Sequence, residues 1–191
     1  GAYPLRITPG KGTWGFAWQV GERMTGGEAE HIREAIGVLS RYVDMIGVRL
    51  FASGTDLEED RIESKFKSII ASSTVPVINL ESAFWHPCQA LADAAVITLA
   101  LAHRTRGAKF VLSWAPHPKP LPMAVPNSAL LMAARLGMDV VIARPEGFDL
   151  DESVVRVATA EADESGGSIN ATTDRALAFG GADIVYAKSW G

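Results

Sequence analysis

The side chains best suited to chemistry are concentrated between Val75 and Gln89. This stretch predicts a buried strand at 75–80, then Glu81, a short loop, and the tetrapeptide H-P-C-Q at 86–89, which opens an apolar helix. Proline fits the first turn of a helix because its φ is fixed and its missing N–H is not needed there. The free N–H groups at a helix N-terminus favour anions. The stretch therefore predicts a site for a polar or anionic small molecule near His86.

Polar side chains also follow other predicted strands. In an open parallel sheet, the carboxyl ends of the strands border the ligand crevice. Charged or hydrogen-bonding residues stand at or just after such ends: Arg49, Glu81, His86, Gln89, His117, Lys119 and Lys188. This set suits an anionic substrate whose carbonyl group is polarised by donors as an oxyanion develops. A lone arginine after a strand is more often solvated, so Arg49 matters only if it shares a crevice with His86.

Other reactive residue types offer less. The histidines are not at metal-ligand spacing, so we predict no metal site. No G-x-G-x-x-G or Walker sequence occurs, and no cofactor is predicted. Cys88 is more simply a small buried hydrophobe than a nucleophile. Trp14, in a glycine-flanked aromatic loop, either packs on its own domain or projects into a ligand site or a neighbouring subunit.

Composition limits the class of protein. The chain has 191 residues, of which 48% are hydrophobic and 21% charged, as in a globular protein of one large or two small domains. The formal net charge of -4 gives no indication of nucleic-acid binding. The single cysteine excludes an internal disulfide, and no apolar run approaches the roughly 20 residues that cross a bilayer. We expect a cytoplasmic protein with neither a nucleic-acid nor a membrane partner.

Strands and helices alternate along the chain, which predicts an α/β fold with parallel sheets. Predicted strands cover 3–7, 43–50, 75–80, 110–115, 138–143, 168–171 and 182–188. Predicted helices cover 28–42, 57–72, 90–103, 127–136 (capped by Asn127-Ser128), 151–164 and 174–179. We expect two doubly wound parallel-sheet domains, residues 1–103 and 104–191, with a cleft between them. Because the pattern breaks off at each end, we expect a fold truncated at both ends.

These residues together resemble the carbamoyltransferase superfamily. The motif H-P-x-Q at 86–89 is accompanied by Arg49 at the end of I-G-V-R, by Glu81 after V-I-N-L, and by Y-A-K-S-W-G at 186–191. The proline-rich stretch at 114–128 resembles a loop of the transcarbamylases that use N-acylated ornithine. The resemblance covers nearly the whole chain and implies a homotrimer with the transcarbamylase fold.

The resemblance also implies a reaction and a role for each residue. A carbamoyl group would pass from carbamoyl phosphate to the δ-amine of the acceptor, in arginine biosynthesis, without a metal or cofactor. Carbamoyl phosphate would be held by Arg49, His86 and Gln89, with His86 donating to the carbonyl oxygen and Gln89 accepting from the carbamoyl amide. The acceptor side would comprise Glu81, His117, Lys119 and Lys188. Trp14 maps to a loop that, in the family, enters the active site of an adjacent subunit.

One position separates two acceptors in the family pattern. Enzymes for N-acetylornithine carry a glutamate one residue before the Glu-His of the helix start, whereas those for N-succinylornithine carry a small, non-acidic residue. That position here is Ala29, which precedes Glu30-His31. A glutamate would repel the succinyl carboxylate, and alanine removes that charge. We expect N-succinyl-L-ornithine as the acceptor, with N-acetyl-L-ornithine as the alternative.

Parts of the family pattern are missing. The phosphate-binding S-x-R-T-R, the H-C-L-P segment and the C-terminal helix do not occur, and Arg104-Thr105-Arg106 falls at the predicted domain junction. We therefore expect an internal fragment that lacks part of the phosphate and acceptor sites. The alternative from another class is a non-catalytic remnant that binds an anionic metabolite.

Overall fold

The structure is an alternation of strands and helices, given by a computed structural model that describes residues 3–11, 13–19, 21–119 and 121–191. Its strands are β1 (Gly15–Ala17), β2 (Glu28–His31), β3 (Ile46–Arg49), β4 (Val77–Glu81), β5 (Lys109–Trp114), β6 (Asp139–Ala143), β7 (Ser168–Thr172) and β8 (Ile184–Lys188). Its helices are α1 (Ile32–Leu39), α2 (Leu57–Ile62), α3 (Ser64–Ser72), α4 (Pro87–Ala100), α5 (Ala124–Arg135), α6 (Glu152–Ser165) and α7 (Arg175–Phe179). The predicted α/β class with parallel sheets is confirmed.

The chain forms two compact units. The first comprises Gly1–Val48 and Glu63–Ile78, and the second comprises Arg49–Ile62 and Asn79–Gly191. Position 104 lies inside the second unit, so these units do not coincide with the predicted domains. The predicted domains are defined by the ligand that each would bind, and their boundary stays a prediction. Every predicted site residue other than Trp14 and Ala29 belongs to the second unit.

The first unit contains the parallel pair β1 and β2, beside which α1 and α3 pack together. The prediction of one helix over 28–42 is wrong at its start, because 28–31 form β2. The apolar helical spacing begins only at Ile32, and His31 caps α1 by accepting from the N–H of Arg33. Residues 3–7, all of them described, form no strand, so that prediction is also wrong.

The predicted helix over 57–72 is divided in two. Glu63, between α2 and α3, has a φ of 52° in the left-handed region. This conformation costs a non-glycine residue roughly 1–2 kcal/mol and cannot continue a right-handed helix. The apolar periodicity of the two segments therefore conceals a break that only the backbone dihedral reveals.

The second unit is organised around a four-stranded parallel sheet with the strand order β7-β6-β5-β8. Its central strand β5 is buried on both faces, and Phe110, Val111 and Leu112 are fully shielded from solvent. Parallel sheets covered on both faces produce such continuous apolar runs. In register, Phe110 lies opposite Val140 on one side and Ile184 on the other. This sheet fixes the carboxyl ends of β5 and β8, where predicted site residues follow.

An ion pair marks the start of α6. Asp151 is the N-cap, and its Oδ1 accepts from the N–H of Ser153 at 2.9 Å. The Nε of Arg61 donates to its Oδ2 at 2.6 Å, although the Asp151 side chain is only 4% exposed. Burial raises the pKa of Asp151, but the hydrogen bonds from Ser153 and Arg61 outweigh burial and hold the pKa below its usual value.

Replacing Asp151 with alanine is expected to lower the free energy of unfolding by about 1–2 kcal/mol at neutral pH, the cost of an N-cap. Because the folded pKa lies below the unfolded value of about 3.9, the carboxylate stabilises the fold fully above that value. This contribution is lost as pH falls through the folded pKa. Urea unfolding at about pH 7 and about pH 3 should therefore show a smaller difference from wild type in acid.

The matched control is Asp174→Ala, which removes the exposed N-cap of α7, where the carboxylate accepts from the N–H of Leu177. It should cost less than Asp151→Ala at neutral pH, since no arginine in the described part of the chain forms an ion pair with Asp174. An equal cost for Asp151→Ala at both pH values would show that the ionised carboxylate contributes nothing.

Candidate active site

The centre of the site is built from the ends of β3 and β4. These strands form a two-stranded sheet, and the N–H of Leu50, just past β3, donates to the carbonyl oxygen of Glu81 at 2.8 Å. Arg49, the last residue of β3, is thereby placed beside Glu81, the last residue of β4. Its Nη2 lies 2.7 Å from Oε2 of Glu81. The predicted arginine and glutamate thus form an ion pair.

His86 approaches the same carboxylate. Its Nε2 lies 3.6 Å from Oε2 of Glu81, and both side chains are largely buried, at 17% and 10% exposure. Arg49 is 58% exposed and also stacks at 4.7 Å from the ring centroid of Phe51. A buried carboxylate is costly unless it is paired, and the hydrogen bond from Arg49 supplies that pairing for Glu81. The structure brings Arg49, Glu81 and His86 together.

The hydrogen bond of His86 within α4 determines which of its ring nitrogens carries the proton. His86 is the N-cap of α4, with Pro87 at the first helical position, and its Nδ1 accepts from the N–H of Gln89 at 3.3 Å. A neutral imidazole that accepts at Nδ1 carries its proton on Nε2. Nε2 is therefore the donor, and it can polarise a carbonyl oxygen.

Two buried residues of α5 hold the loop before His86, and the sequence analysis missed them in this role. The Oγ of Ser128 accepts from the backbone N–H of His86 at 2.7 Å, and Nδ2 of Asn127 donates to the carbonyl oxygen of Phe84 at 3.2 Å. The predicted cap at Asn127-Ser128 is wrong, because α5 begins at Ala124 with Met123 as its cap. The sequence feature that could have revealed this role is the pair of polar residues inside an apolar helix. Polar side chains buried in this way need hydrogen-bond partners.

Gln89 is held by a residue that was not predicted. Its Nε2 donates at 2.8 Å to Oδ1 of Asp93, one turn further along α4. The four-residue spacing places both side chains on one face of the helix. Asp93 also accepts at Oδ2 from the hydroxyl of Tyr186 on β8, again at 2.8 Å.

The remaining predicted residues of this unit lie after β5 and at the end of β8. Lys188 lies opposite Trp114 in the parallel pair, and its carbonyl oxygen accepts from the N–H of Ala115 at 3.0 Å. The Nδ1 of His117 lies 2.8 Å from the carbonyl oxygen and 3.1 Å from the nitrogen of Lys119, and both residues are exposed. Within the described ranges, no hydrogen bond or ion pair joins these three residues to Glu81 or His86.

Trp14 and Ala29 lie in the first unit. The side chain of Trp14 is 52% exposed and lines a cavity of about 490 Å³ that also contacts Arg6, Lys11 and Glu30. Ala29 is exposed on β2. The surface of this unit therefore presents both residues.

The second unit has a cavity large enough for a small metabolite. Its volume is about 520 Å³, and it is lined by residues 52–55 after β3, by Ala83 and Phe84 before His86, and by Leu121, Pro122 and Met123. Small-molecule sites commonly measure about 300–1,000 Å³. In the described part of the chain, no group of three or more His, Cys, Asp or Glu residues could hold a metal ion. None of the helices described is long and apolar enough to cross a membrane.

Comparison with known proteins identifies one family along most of the chain. Residues 12–98 match the model described as aspartate/ornithine carbamoyltransferase, carbamoyl-P binding domain. Residues 123–191 match the model described as aspartate/ornithine carbamoyltransferase, Asp/Orn binding domain.

Individual relatives agree with these matches. The N-acetylornithine carbamoyltransferase of Xanthomonas campestris pv. campestris is 46% identical over 197 residues, which cover 100% of this chain and 57% of that protein. The N-succinylornithine carbamoyltransferase of Bacteroides fragilis is 39% identical over 180 residues, which cover 94% and 52%. A crystal structure of acetylornithine transcarbamylase complexed with acetylcitrulline superimposes with a TM-score of 0.91 and 46% identity, over 97% of this chain and 56% of that one. The chain thus spans little more than half the length of these relatives.

Proposed function

The chain belongs to the aspartate/ornithine carbamoyltransferase family, and we propose that the protein transfers a carbamoyl group from carbamoyl phosphate to the δ-amine of an N-acylated ornithine. The observation that carries this proposal is the convergence of Arg49, Glu81 and His86 where β3, β4 and α4 meet. It places a partly exposed guanidinium and an imidazole side by side. The similarity to N-acetylornithine and N-succinylornithine carbamoyltransferases supports the same reaction.

The donor substrate would bind at the start of α4. Arg49 would attract the phosphate oxygens, and Nε2 of His86 would donate to the carbonyl oxygen. The amine attacks the carbonyl carbon, the oxyanion that forms is stabilised by His86, and its collapse breaks the C–O bond to phosphate. A C–N bond replaces the C–O bond, and the proton lost by the amine is taken up by the departing phosphate. Holding both substrates in line lowers the barrier without a covalent enzyme intermediate.

The acceptor side would be formed by Glu81 together with His117 and Lys119, which follow β5, and Lys188, the last residue of β8. Lysine and histidine side chains there suit the carboxylate of an acylated amino acid. We further propose a homotrimer in which Trp14 reaches the active site of an adjacent subunit. The reaction would serve arginine biosynthesis in the cytoplasm.

The acyl group of the acceptor follows from Ala29. A non-acidic residue at this position does not repel the succinyl carboxylate. This supports N-succinyl-L-ornithine as the acceptor and N-succinyl-L-citrulline as the product. N-acetyl-L-ornithine transcarbamylase mutants with proline, valine or alanine in place of one glutamate have been crystallised with carbamyl phosphate and N-succinyl-L-norvaline. N-acetyl-L-ornithine is the second candidate, because identity is 46% to the acetyl enzyme against 39% to the succinyl enzyme.

Carbamoyl transfer by the full-length protein to N-succinylornithine, N-acetylornithine and ornithine in parallel tests this proposal. We expect kcat/KM to be highest for the succinyl acceptor, by at least about tenfold, the effect of roughly 1.4 kcal/mol. Preference for the acetyl acceptor would retain the reaction and refute the argument from Ala29. Absence of transfer to all three would refute the enzyme and leave the alternative of a non-catalytic, anion-binding protein.

A further inference from the structure

Asp93 connects the predicted carbamoyl-binding helix to the four-stranded sheet. Its Oδ1 accepts from Nε2 of Gln89, and its Oδ2 accepts from the hydroxyl of Tyr186, each at 2.8 Å. All three side chains are partly buried within the second unit. Each carboxylate oxygen therefore has one defined donor.

The contact with Asp93 fixes which end of the Gln89 amide faces a ligand. An ionised carboxylate only accepts hydrogen bonds, so the amide must turn its NH₂ group toward Asp93. The terminal torsion of glutamine is otherwise broad and roughly two-fold, and the amide could reverse. With NH₂ held by Asp93, Oε1 is the end that remains for an incoming donor.

Tyr186 in turn fixes Asp93. It lies opposite Leu112 in the pairing of β5 with β8, and its ring centroid is 5.9 Å from that of the fully buried Phe110. Burial, followed by the hydrogen bond to Asp93, raises the pKa of Tyr186 well above its usual value. The hydroxyl therefore stays protonated at neutral pH and remains a donor to Asp93.

We propose that Asp93 and Tyr186 are positioning residues that orient the Gln89 amide, so that its Oε1 accepts from the NH₂ group of carbamoyl phosphate. The inference rests on the proposed function and adds how the site recognises an amide rather than a methyl group. Two side chains that do not touch the substrate would thereby set the selectivity for the carbamoyl end.

Calorimetric binding of two analogues to the full-length protein tests this role without requiring turnover. Phosphonoacetamide carries the NH₂ group, whereas acetyl phosphate carries a methyl group in its place. Asp93→Asn, which can flip and donate to Gln89, should weaken binding of phosphonoacetamide by about tenfold, the value of one hydrogen bond. Binding of acetyl phosphate should change by less than about twofold, and Tyr186→Phe should act in the same direction but more weakly.

The outcomes separate the two proposals. Asp163→Asn, an exposed acid on α6, is the matched control and should bind both analogues as wild type does. Equal weakening of both analogues by Asp93→Asn and Tyr186→Phe, or no weakening of either, would overturn the positioning role and leave the proposed function standing. Binding of neither analogue by the wild type would overturn the proposed function together with this inference.

Discussion

Replacing His86 with asparagine is expected to lower kcat for carbamoyl transfer by about 100- to 1,000-fold, the usual loss when one oxyanion donor is removed. Asparagine is among the best N-cap residues, so its side chain can still accept from the N–H of Gln89 and keep α4 in place. It is too short to bring a donor to the position of Nε2. The substitution therefore separates the chemical role of His86 from its capping role.

The matched control is His103→Asn. His103 is exposed after the end of α4 with a φ of 63°, a left-handed conformation that asparagine tolerates. Steady-state kinetics of the full-length protein should show an unchanged kcat for this variant, and thermal unfolding should show similar melting temperatures for both. A His86→Asn enzyme that retains wild-type kcat would rule out the imidazole as the donor to the carbonyl oxygen.

The elements of the second unit could be predicted closely because their local patterns agree with their surroundings. The run F-V-L in β5 is apolar on both faces, as a central parallel strand requires, and Gly107 precedes it in a turn. The start of α5 could not be predicted, since the prolines between 116 and 126 indicated a loop that ends at a cap at Asn127. Proline is tolerated in the first turn because it lacks an N–H at a position where an N–H would have no helical partner, so α5 begins before Pro126.

The centre of the candidate site could be inferred because its members stand at strand ends and at a helix start. Arg49, Glu81 and His86 are each identifiable from such local positions, and the structure places Arg49 and His86 beside the carboxylate of Glu81. The residues that hold this site in place were missed, because their hydrogen bonds join distant parts of the chain. The hydrogen bond from Tyr186 to Asp93 spans 93 residues, and that from His86 to Ser128 spans 42. Neither spacing leaves a periodic pattern, and only the folded sheet brings the partners together.

Substituting Ala29 with glutamate is expected to reverse the acyl preference. Two like charges about 6 Å apart repel by roughly 3 kcal/mol at an effective dielectric constant near 20, which is about 100-fold in kcat/KM. The ratio of kcat/KM for N-succinylornithine to that for N-acetylornithine should fall by that factor, since acetyl carries no charge. Competition assays with both acceptors present and carbamoyl phosphate saturating measure the ratio directly.

Ala29→Gln is the matched control, because glutamine has nearly the shape of glutamate without its charge. A small change in the ratio for Ala29→Gln beside a large change for Ala29→Glu identifies repulsion rather than crowding as the cause. The neighbouring Glu28 accepts a hydrogen bond from the N–H of Gly26 at 2.8 Å, so wild-type β2 already carries a carboxylate. If Ala29→Glu leaves the ratio unchanged while Glu28→Gln or Glu30→Gln shifts it toward the succinyl acceptor, the selecting position is one of these glutamates and the native acceptor is N-acetylornithine.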